Sequence, residues 1–399
     1  MKIKNIVIIN DFNYIQGGAS KVAIETAKVL ANEKDLNVYF FYAVHQNTNI
    51  INNVKYICTN QNEALKEKNK LIGSINGIYN KSAKKKLKEL LKDLNPDDTI
   101  LHIHGWTKAL SSSVFDIAFK MKFKVVLTLH DYFMVCPNGG FYNYKKSKIC
   151  DLKPLSLKCV NCNCDSRNYI FKIYRNIRTF VQNKIVQVPK KINCAITISS
   201  LSENILKSYL NESVKIERIY NPIDIDEVKQ KDNSRITKED YYLFVGRLDK
   251  EKGIEEFCKA ITETNEKAIV VGTGKLKKKL EEKYKNINFV GWKKSFEVYK
   301  YLEKAKALIF PSLWYETAGL TVLEAQILNV PCIVNSNTAA TEFIIENVTG
   351  KKYQTYNELV NIIKEFDSLK FNFEKNNINK INYKEYLSKL LKCYERIMN

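Results

Sequence analysis

"ALIFPSLWYETAGLTVLEAQILNVPCIVN", residues 307–335, carries two short apolar runs separated by a segment of helical spacing. The first run reads as a buried strand ended by Pro311, the middle as a helix starting near Gly319, and "PCIVN" as a second strand. A strand, a helix and a strand in succession make a βαβ unit, which implies parallel pairing. Glu316 then lies in the loop at the first strand's carboxyl end, and Glu324 inside the helix. The free N–H groups of Gly319, Leu320 and Thr321 form an anion site that the helix dipole reinforces, and glycine lets a phosphate approach closely. Two carboxylates beside a phosphate would repel it. They make better sense as acceptors for the hydroxyls that flank it in a nucleotide diphosphate sugar.

Outward from this stretch the same alternation recurs. "KNIVIIN", "LNVYFFYAV", "TILHIHG" and "KVVLTLHD" read as strands, with "SKVAIETAKVLANE" and "AKKKLKELLKDLN" as helices between them. After Asn221 the pattern restarts with "YYLFVGR", "KAIVVG" and "INFVG" as strands alternating with helices. Two such series predict an α/β protein of two Rossmann-like, doubly wound parallel-sheet domains facing each other across a cleft. The join falls near "IYNPIDIDEV", residues 219–228, where Asn-Pro breaks regular structure. The expected domains are 1–220, 221–380 and a terminal helix over 381–399.

"LFVGRLDKEKGIEE" supplies positive charge to the same sheet edge as Glu316: its strand ends at Gly246–Arg247, and Lys252 precedes Gly253 and a helix. Cations placed there stabilise the charge that develops on a departing diphosphate. A single Arg or Lys at a helix start is ordinarily a solvated charge; two of them, on a βα unit of the domain that holds the Glu pair, are not.

Gly246–Arg247 with Lys252–Gly253, followed by Glu316-x7-Glu324, resembles the retaining glycosyltransferases of family 4, whose architecture is GT-B. The likeness covers nearly the whole chain: "DFNYIQGGASK" is similar to the family's first βα loop, and "LTLHDY" to its strand ending in His130–Asp131. The resemblance implies that Gly17 and Gly18 approach the donor phosphate, that Arg247 and Lys252 bind the diphosphate, and that Glu324 binds the ribose and Glu316 the transferred sugar. It places His130 near the reacting centre and Asp131 toward the acceptor. It further implies a hexosyltransferase-type reaction with retention, by same-face attack, from a nucleotide diphosphate sugar, UDP ranked ahead of GDP. The acceptor would be an anionic lipid-linked saccharide or a cell-surface polysaccharide, as in lipopolysaccharide or capsule synthesis. With Arg and Lys to balance the diphosphate, catalysis needs no divalent metal or other cofactor. Ala318, where relatives often carry Phe, and Asn329, where Gly commonly precedes Pro, depart from the pattern.

Composition sets the remaining bounds. No apolar run reaches the roughly 18 residues of a membrane span, so the reading is a soluble cytoplasmic protein. The net charge of +21 favours anionic partners. From Lys145 to Lys191 there are twelve Lys and Arg against Asp151 and Asp165. Within that segment "NYIFKIYRNIRTFVQNKIVQV", residues 168–188, sets Ile170, Ile173, Tyr174, Ile177, Val181, Ile185 and Val188 on one helical face, with Lys172, Arg175, Arg178 and Gln182 elsewhere. The helix either adsorbs to an anionic membrane at the inner face of the plasma membrane or buries its apolar face in its own domain.

Five of the ten cysteines fall between Cys136 and Cys164. Cys159-x2-Cys162 with Cys136 and Cys150 could hold a structural zinc that staples a basic insertion over about 132–190, or the thiols could be free. The insertion follows Asp131 directly, which places it at the acceptor site. Two alternative functions are a nucleotide-sugar epimerase or phosphorylase on the same fold, and a zinc-containing nucleic-acid-binding protein. The latter leaves Glu316 and Glu324 unexplained, so no nucleic-acid partner is expected.

Overall fold

The computed structural model describes residues 3–47, 50–229, 238–374 and 381–399. The chain separates into two compact units, one comprising Met1–Gly140, Asp151–Pro222 and Tyr383–Asn399, the other Phe141–Cys150 and Ile223–Asn382.

In the first unit, β1 (Asn5–Phe12), β2 (Asn37–Val44), β3 (Val54–Cys58), β4 (Thr99–Ile103) and β5 (Lys124–Leu129) precede a two-stranded hairpin, β6 (Tyr142–Asn143) and β7 (Lys148–Ile149), that belongs to the second unit. The first unit then resumes with β8 (Cys194–Thr197) and β9 (Lys215–Arg218). Its sheet has the order β3-β2-β1-β4-β5-β8-β9. All of its pairings are parallel. The central β1 is buried along its whole length, because helices on both faces leave neither side to water. The second unit carries β10 (Tyr242–Val245), β11 (Ala268–Val271), β12 (Ile287–Gly291), β13 (Ala307–Phe310), β14 (Cys332–Asn335) and β15 (Gly350–Tyr353) in the order β12-β11-β10-β13-β14-β15, again parallel. Strand order reverses beside β1 in one sheet and beside β10 in the other. Each switch point, β1/β4 in the first unit and β10/β13 in the second, opens a crevice at the carboxyl ends of its own strands.

The terminal helix Tyr383–Met398 is part of the first unit. Its Leu390, Cys393 and Tyr394 are buried with Ala23, Ala27 and Ile8. Two hydrogen bonds fix its register: Tyr386 OH with Thr26 Oγ1 at 2.7 Å, and Tyr394 OH with His102 Nδ1 at 2.6 Å.

The basic segment departs from the expectations that it forms one insertion in the first domain and that its helix buries its apolar face. The insertion does not stay together, because its hairpin 141–150 joins the second unit. The helix Tyr169–Phe180, extended by a wide π turn over Val181–Ile185, sits inside out. Ile170, Ile173, Ile177, Phe180 and Ile185 are exposed, whereas Lys172, Asn176, Arg178 and Gln182 are buried. Gln182 and Arg178 find partners elsewhere in the unit. Gln182 accepts from Trp106 Nε1 at 2.8 Å and donates to the Met134 carbonyl at 2.9 Å. Arg178 donates to the carbonyls of Thr107 and Pro137 at 3.4 and 3.3 Å.

Candidate active site

The expected site residues fall into two groups, one on each unit. On the second, the turns leaving β10 and β13 lie side by side because the two strands pair. Gly253 makes this possible: its φ is +70°, and a Cβ there would stand 1.8 Å from the Pro311 carbonyl oxygen. That contact brings Lys252, just ahead of Gly253, to Glu316, five residues beyond Pro311. Lys252 Nζ donates to Glu316 Oε2 at 2.5 Å, Trp314 Nε1 to the same oxygen at 2.7 Å, and Ser312 Oγ at 3.2 Å. Among the described residues no donor reaches Oε1. Burial pushes the Glu316 pKa up, but Lys252 and the hydrogen bonds outweigh it, so the group sits below the usual glutamate range and is ionised at neutral pH. The Lys252 ammonium also lies 5.2 Å from the centre of the Trp314 ring.

Arg247 follows β10 and forms ion pairs with Asp249 and, at 2.9 Å, with Glu251. Its side chain remains about half exposed. Beyond β13, Gly319 opens the helix Leu320–Ile327 with a φ of +105°, and a Cβ there would stand 2.6 Å from that of Ala340. The N–H groups of Leu320 and Thr321 begin the helix ahead of its first internal acceptor. Glu324 lies one turn further, half-buried between Leu323 and Ala325. The β6–β7 hairpin contributes Tyr144 to the electrostatic surroundings of Arg247, so part of the insertion shapes the second unit's site rather than the first's.

On the first unit, Gly17 caps the helix Gly18–Leu30, and no atom lies within 4 Å of where its Cβ would be, which leaves the backbone open to approach. His130 and Asp131 follow β5. His130 Nε2 meets His104 Nδ1 at 2.9 Å across the β4–β5 pair, and His102 Nε2 bonds Thr128 Oγ1 at 2.7 Å. Burial pushes His102 and His130 down to about 3 and His104 well below the usual range, so all three are neutral at physiological pH. Asp131 accepts the Phe133 N–H at 2.8 Å, and burial raises its pKa to about 6. Asp11, after β1, accepts the backbone N–H groups of Lys108, Ala109 and Leu110, each at 2.9 Å, and so holds the loop that follows β4. His104 and Asp11 were not singled out from the sequence. The available signal was "LHIHG", where His102 and His104 alternate onto one face of a strand.

The expected zinc set of Cys136, Cys150, Cys159 and Cys162 is not assembled. Cys150 leaves with the hairpin to the second unit. Cys136, Cys159 and Cys164 lie near Lys172, whose Nζ is 3.5 Å from Cys159 Sγ. Among the described residues no three His, Cys, Asp or Glu side chains come together in a way that could hold a metal ion.

Residues 226–385 match the family model described as glycosyl transferases group 1. A sucrose-phosphate synthase from Thermosynechococcus elongatus superposes with a TM-score of 0.70 at 15% identity, over 99% of both chains. An Anabaena protein, HepE, solved with UDP-glucose, superposes with a TM-score of 0.63 at 12% identity, over 98% of this chain and 99% of that one. The chain has the GT-B fold. In sequence the chain is also similar to an uncharacterized 41.2 kDa protein in the cps region of Klebsiella pneumoniae, 24% identical over 66% of this chain and 68% of the relative. The family match lies on the unit that holds Arg247, Lys252, Glu316 and Glu324.

Proposed function

We propose that the protein transfers a hexose from a nucleotide diphosphate sugar, UDP ahead of GDP, to a lipid-linked saccharide or a cell-surface polysaccharide, with retention and without a catalytic metal. The observation that carries this reading is the Glu316 carboxylate. One oxygen is held by Lys252, Trp314 and Ser312, and the other is turned to no protein donor among the described residues, which suits it to a sugar hydroxyl. Arg247 and Lys252 take the diphosphate together with the N–H groups of Gly319, Leu320 and Thr321, and Glu324 takes the ribose. The leaving diphosphate accepts the acceptor's proton on the face it departs from, while Arg247 and Lys252 stabilise its charge. Neutral His130, hydrogen-bonded to His104, orients the reacting groups, and Asp131 contacts the acceptor. The Anabaena neighbour, solved with UDP-glucose, supports a UDP-sugar donor, and the relative in a cps region supports a saccharide acceptor of the cell surface.

In a thermal-shift panel of UDP, GDP and ADP, UDP at 100 times its dissociation constant is expected to stabilise the protein by about 2.7 kcal/mol. Glu324→Ala should lose most of that shift. A panel with no shift, or one that Glu324→Ala leaves unchanged, removes the ribose contact on which the donor reading depends.

The acceptor reading extends to the lipid surface. No helix among the described residues is long and apolar enough to cross a membrane. The inside-out helix nevertheless presents Ile170, Ile173, Ile177 and Phe180 outward, and the neighbouring helix Lys70–Ile78 exposes Leu71, Ile72 and Ile75. Exposed Arg167 and Lys184 flank the first of these. An apolar face edged with cations fits adsorption to anionic lipid at the cytoplasmic face of the plasma membrane. Wild-type protein should therefore co-sediment with phosphatidylglycerol vesicles, and the pair Ile173→Ser and Ile177→Ser should release it by about tenfold or more. Equal sedimentation of the two proteins would assign these residues no role at the membrane.

A further inference from the structure

The same helix that turns its apolar side outward turns its guanidinium groups inward, to a pocket of about 120 Å³ in the first unit. Lys66, Lys108, Arg167, Arg175 and Arg178 line it, with the ring of Phe133 at its wall. This volume is well below the ~300 Å³ of a typical small-molecule site, so it suits one charged group rather than a whole nucleotide.

The pocket's own acids do not account for these cations. Glu63 pairs with Lys66 at 2.5 Å and Asp165 with Arg175 at 3.1 Å. The Asp11 carboxylate is taken up by three backbone N–H groups, and Asp131 by that of Phe133. Among the described residues neither Lys108 nor Arg178 forms an ion pair with a carboxylate. Arg178 is buried, bonds only backbone carbonyls and lies 4.8 Å from the centre of the Phe133 ring. Lys108 is open to solvent at its surface yet hemmed in by the loop that Asp11 holds. Burial lowers Arg178 to about 10, with Arg175 adding like-charge repulsion and Asp131 and Asp11 opposing it. Arg178, held by backbone carbonyls, and the exposed Lys108 are two cations with no ion-paired carboxylate among the described residues, and they favour an incoming oxyanion, which gains charge-assisted hydrogen bonds.

We propose that this pocket binds a phosphoryl group carried by the acceptor. The proposal deepens the glycosyltransferase reading and rests on the first unit being the acceptor half. Lys108 and Arg178 supply the charge, Lys66 and Arg175 border the opening, and the ligand is a phosphate monoester or diester. Two sources share that chemistry: a soluble sugar phosphate, and the phosphate linking a saccharide to its lipid.

The test uses the full chain saturated with UDP, so that the donor site is closed to competing anions, and titrates inorganic phosphate by calorimetry. Wild type is expected to bind phosphate, and Lys108→Gln with Arg178→Gln to weaken it at least tenfold while UDP binding persists, which also reports that the variant is folded. Should the double variant not fold, the single Lys108→Gln, at an open position, is expected to weaken phosphate severalfold. Glucose 1-phosphate and neutral vesicles doped with farnesyl diphosphate separate the sources. A loss in the variant confined to one of them supports the proposal and names the carrier, and a loss in both supports it as well. Phosphate that fails to bind wild type, or binds the folded variants equally, overturns it. Absence of UDP binding in wild type would instead count against the donor reading, and phosphate titrated without UDP would still judge the pocket through the Lys108 and Arg178 variants.

Discussion

Glu316→Gln slows turnover by about 10²–10³-fold and changes UDP affinity far less, the size of effect that accompanies loss of one preorganised electrostatic contact at a reacting centre. The wild-type carboxylate offers Oε2 to Lys252, Trp314 and Ser312 and keeps Oε1 for the sugar. Glutamine has one acceptor oxygen. If that oxygen stays with the three protein donors, an N–H group faces the sugar where a carboxylate was, and hydroxyl recognition fails. The variant should also lose about 1–3 kcal/mol of stability at pH 7, since a charged hydrogen-bonded pair is broken. The pKa of Glu316 is lowered by Lys252 and its hydrogen bonds against the opposing effect of burial. Its contribution is therefore fully present above the ordinary glutamate value of ~4.3 and is lost as pH falls through the lowered folded-state value. Urea titrations at neutral and acid pH should show the gap between the two proteins closing with acid, and steady-state kinetics should show the fall in kcat. An unchanged kcat would remove Glu316 from the sugar.

Gly253→Ala is expected to cost at least about 3 kcal/mol, among the larger single-site effects, because two penalties combine. Left-handed backbone costs a residue with a Cβ ~1–2 kcal/mol. The new methyl would also stand 1.8 Å from the Pro311 oxygen and 2.7 Å from its carbonyl carbon, both backbone atoms that cannot rotate away. Relief requires the β10 and β13 turns to part, which separates Lys252 from Glu316, so donor binding should fall with stability. Gly17→Ala serves as the comparison: nothing lies within 4 Å of its Cβ, and its cost should stay below ~1 kcal/mol. Denaturation of the three proteins measures both. A Gly253→Ala midpoint equal to wild type would show that the two turns do not constrain each other.

Much of the fold was legible because buried parallel strands are apolar throughout: "NIVII", "KVVLTL" and "ALIF" are strands β1, β5 and β13 or lie within them. The strands not legible in the sequence are β3 and β9, "VKYIC" and "KIER", at the two edges of the first sheet, where polar residues interrupt the pattern, together with the short β6, β7, β8 and β15. The donor-side residues were legible for a related reason. Arg247, Lys252 and Glu316 lie within a few positions of strand ends that the pattern locates, so topology alone brings them to one switch point. His130 could be placed in the same way, but its partner His104 could not, because their meeting depends on the register of β4 against β5.

By itself the sequence determined that two series of βαβ units would form two parallel sheets and which side chains would stand at their carboxyl ends, since both follow from local periodicity and turn chemistry. Which face of the Tyr169–Phe180 helix is buried was decided by tertiary structure. Helical spacing reads the same whichever side turns inward, and the basic side went in because the Thr107 and Pro137 carbonyls accept from Arg178 while Trp106 and the Met134 carbonyl satisfy Gln182. The grouping of cysteines was decided in the same way, when the hairpin carried Cys150 to the second unit and Lys172 came to lie beside Cys159. A buried polar group goes where its hydrogen-bond partners are, and those partners come from distant parts of the chain.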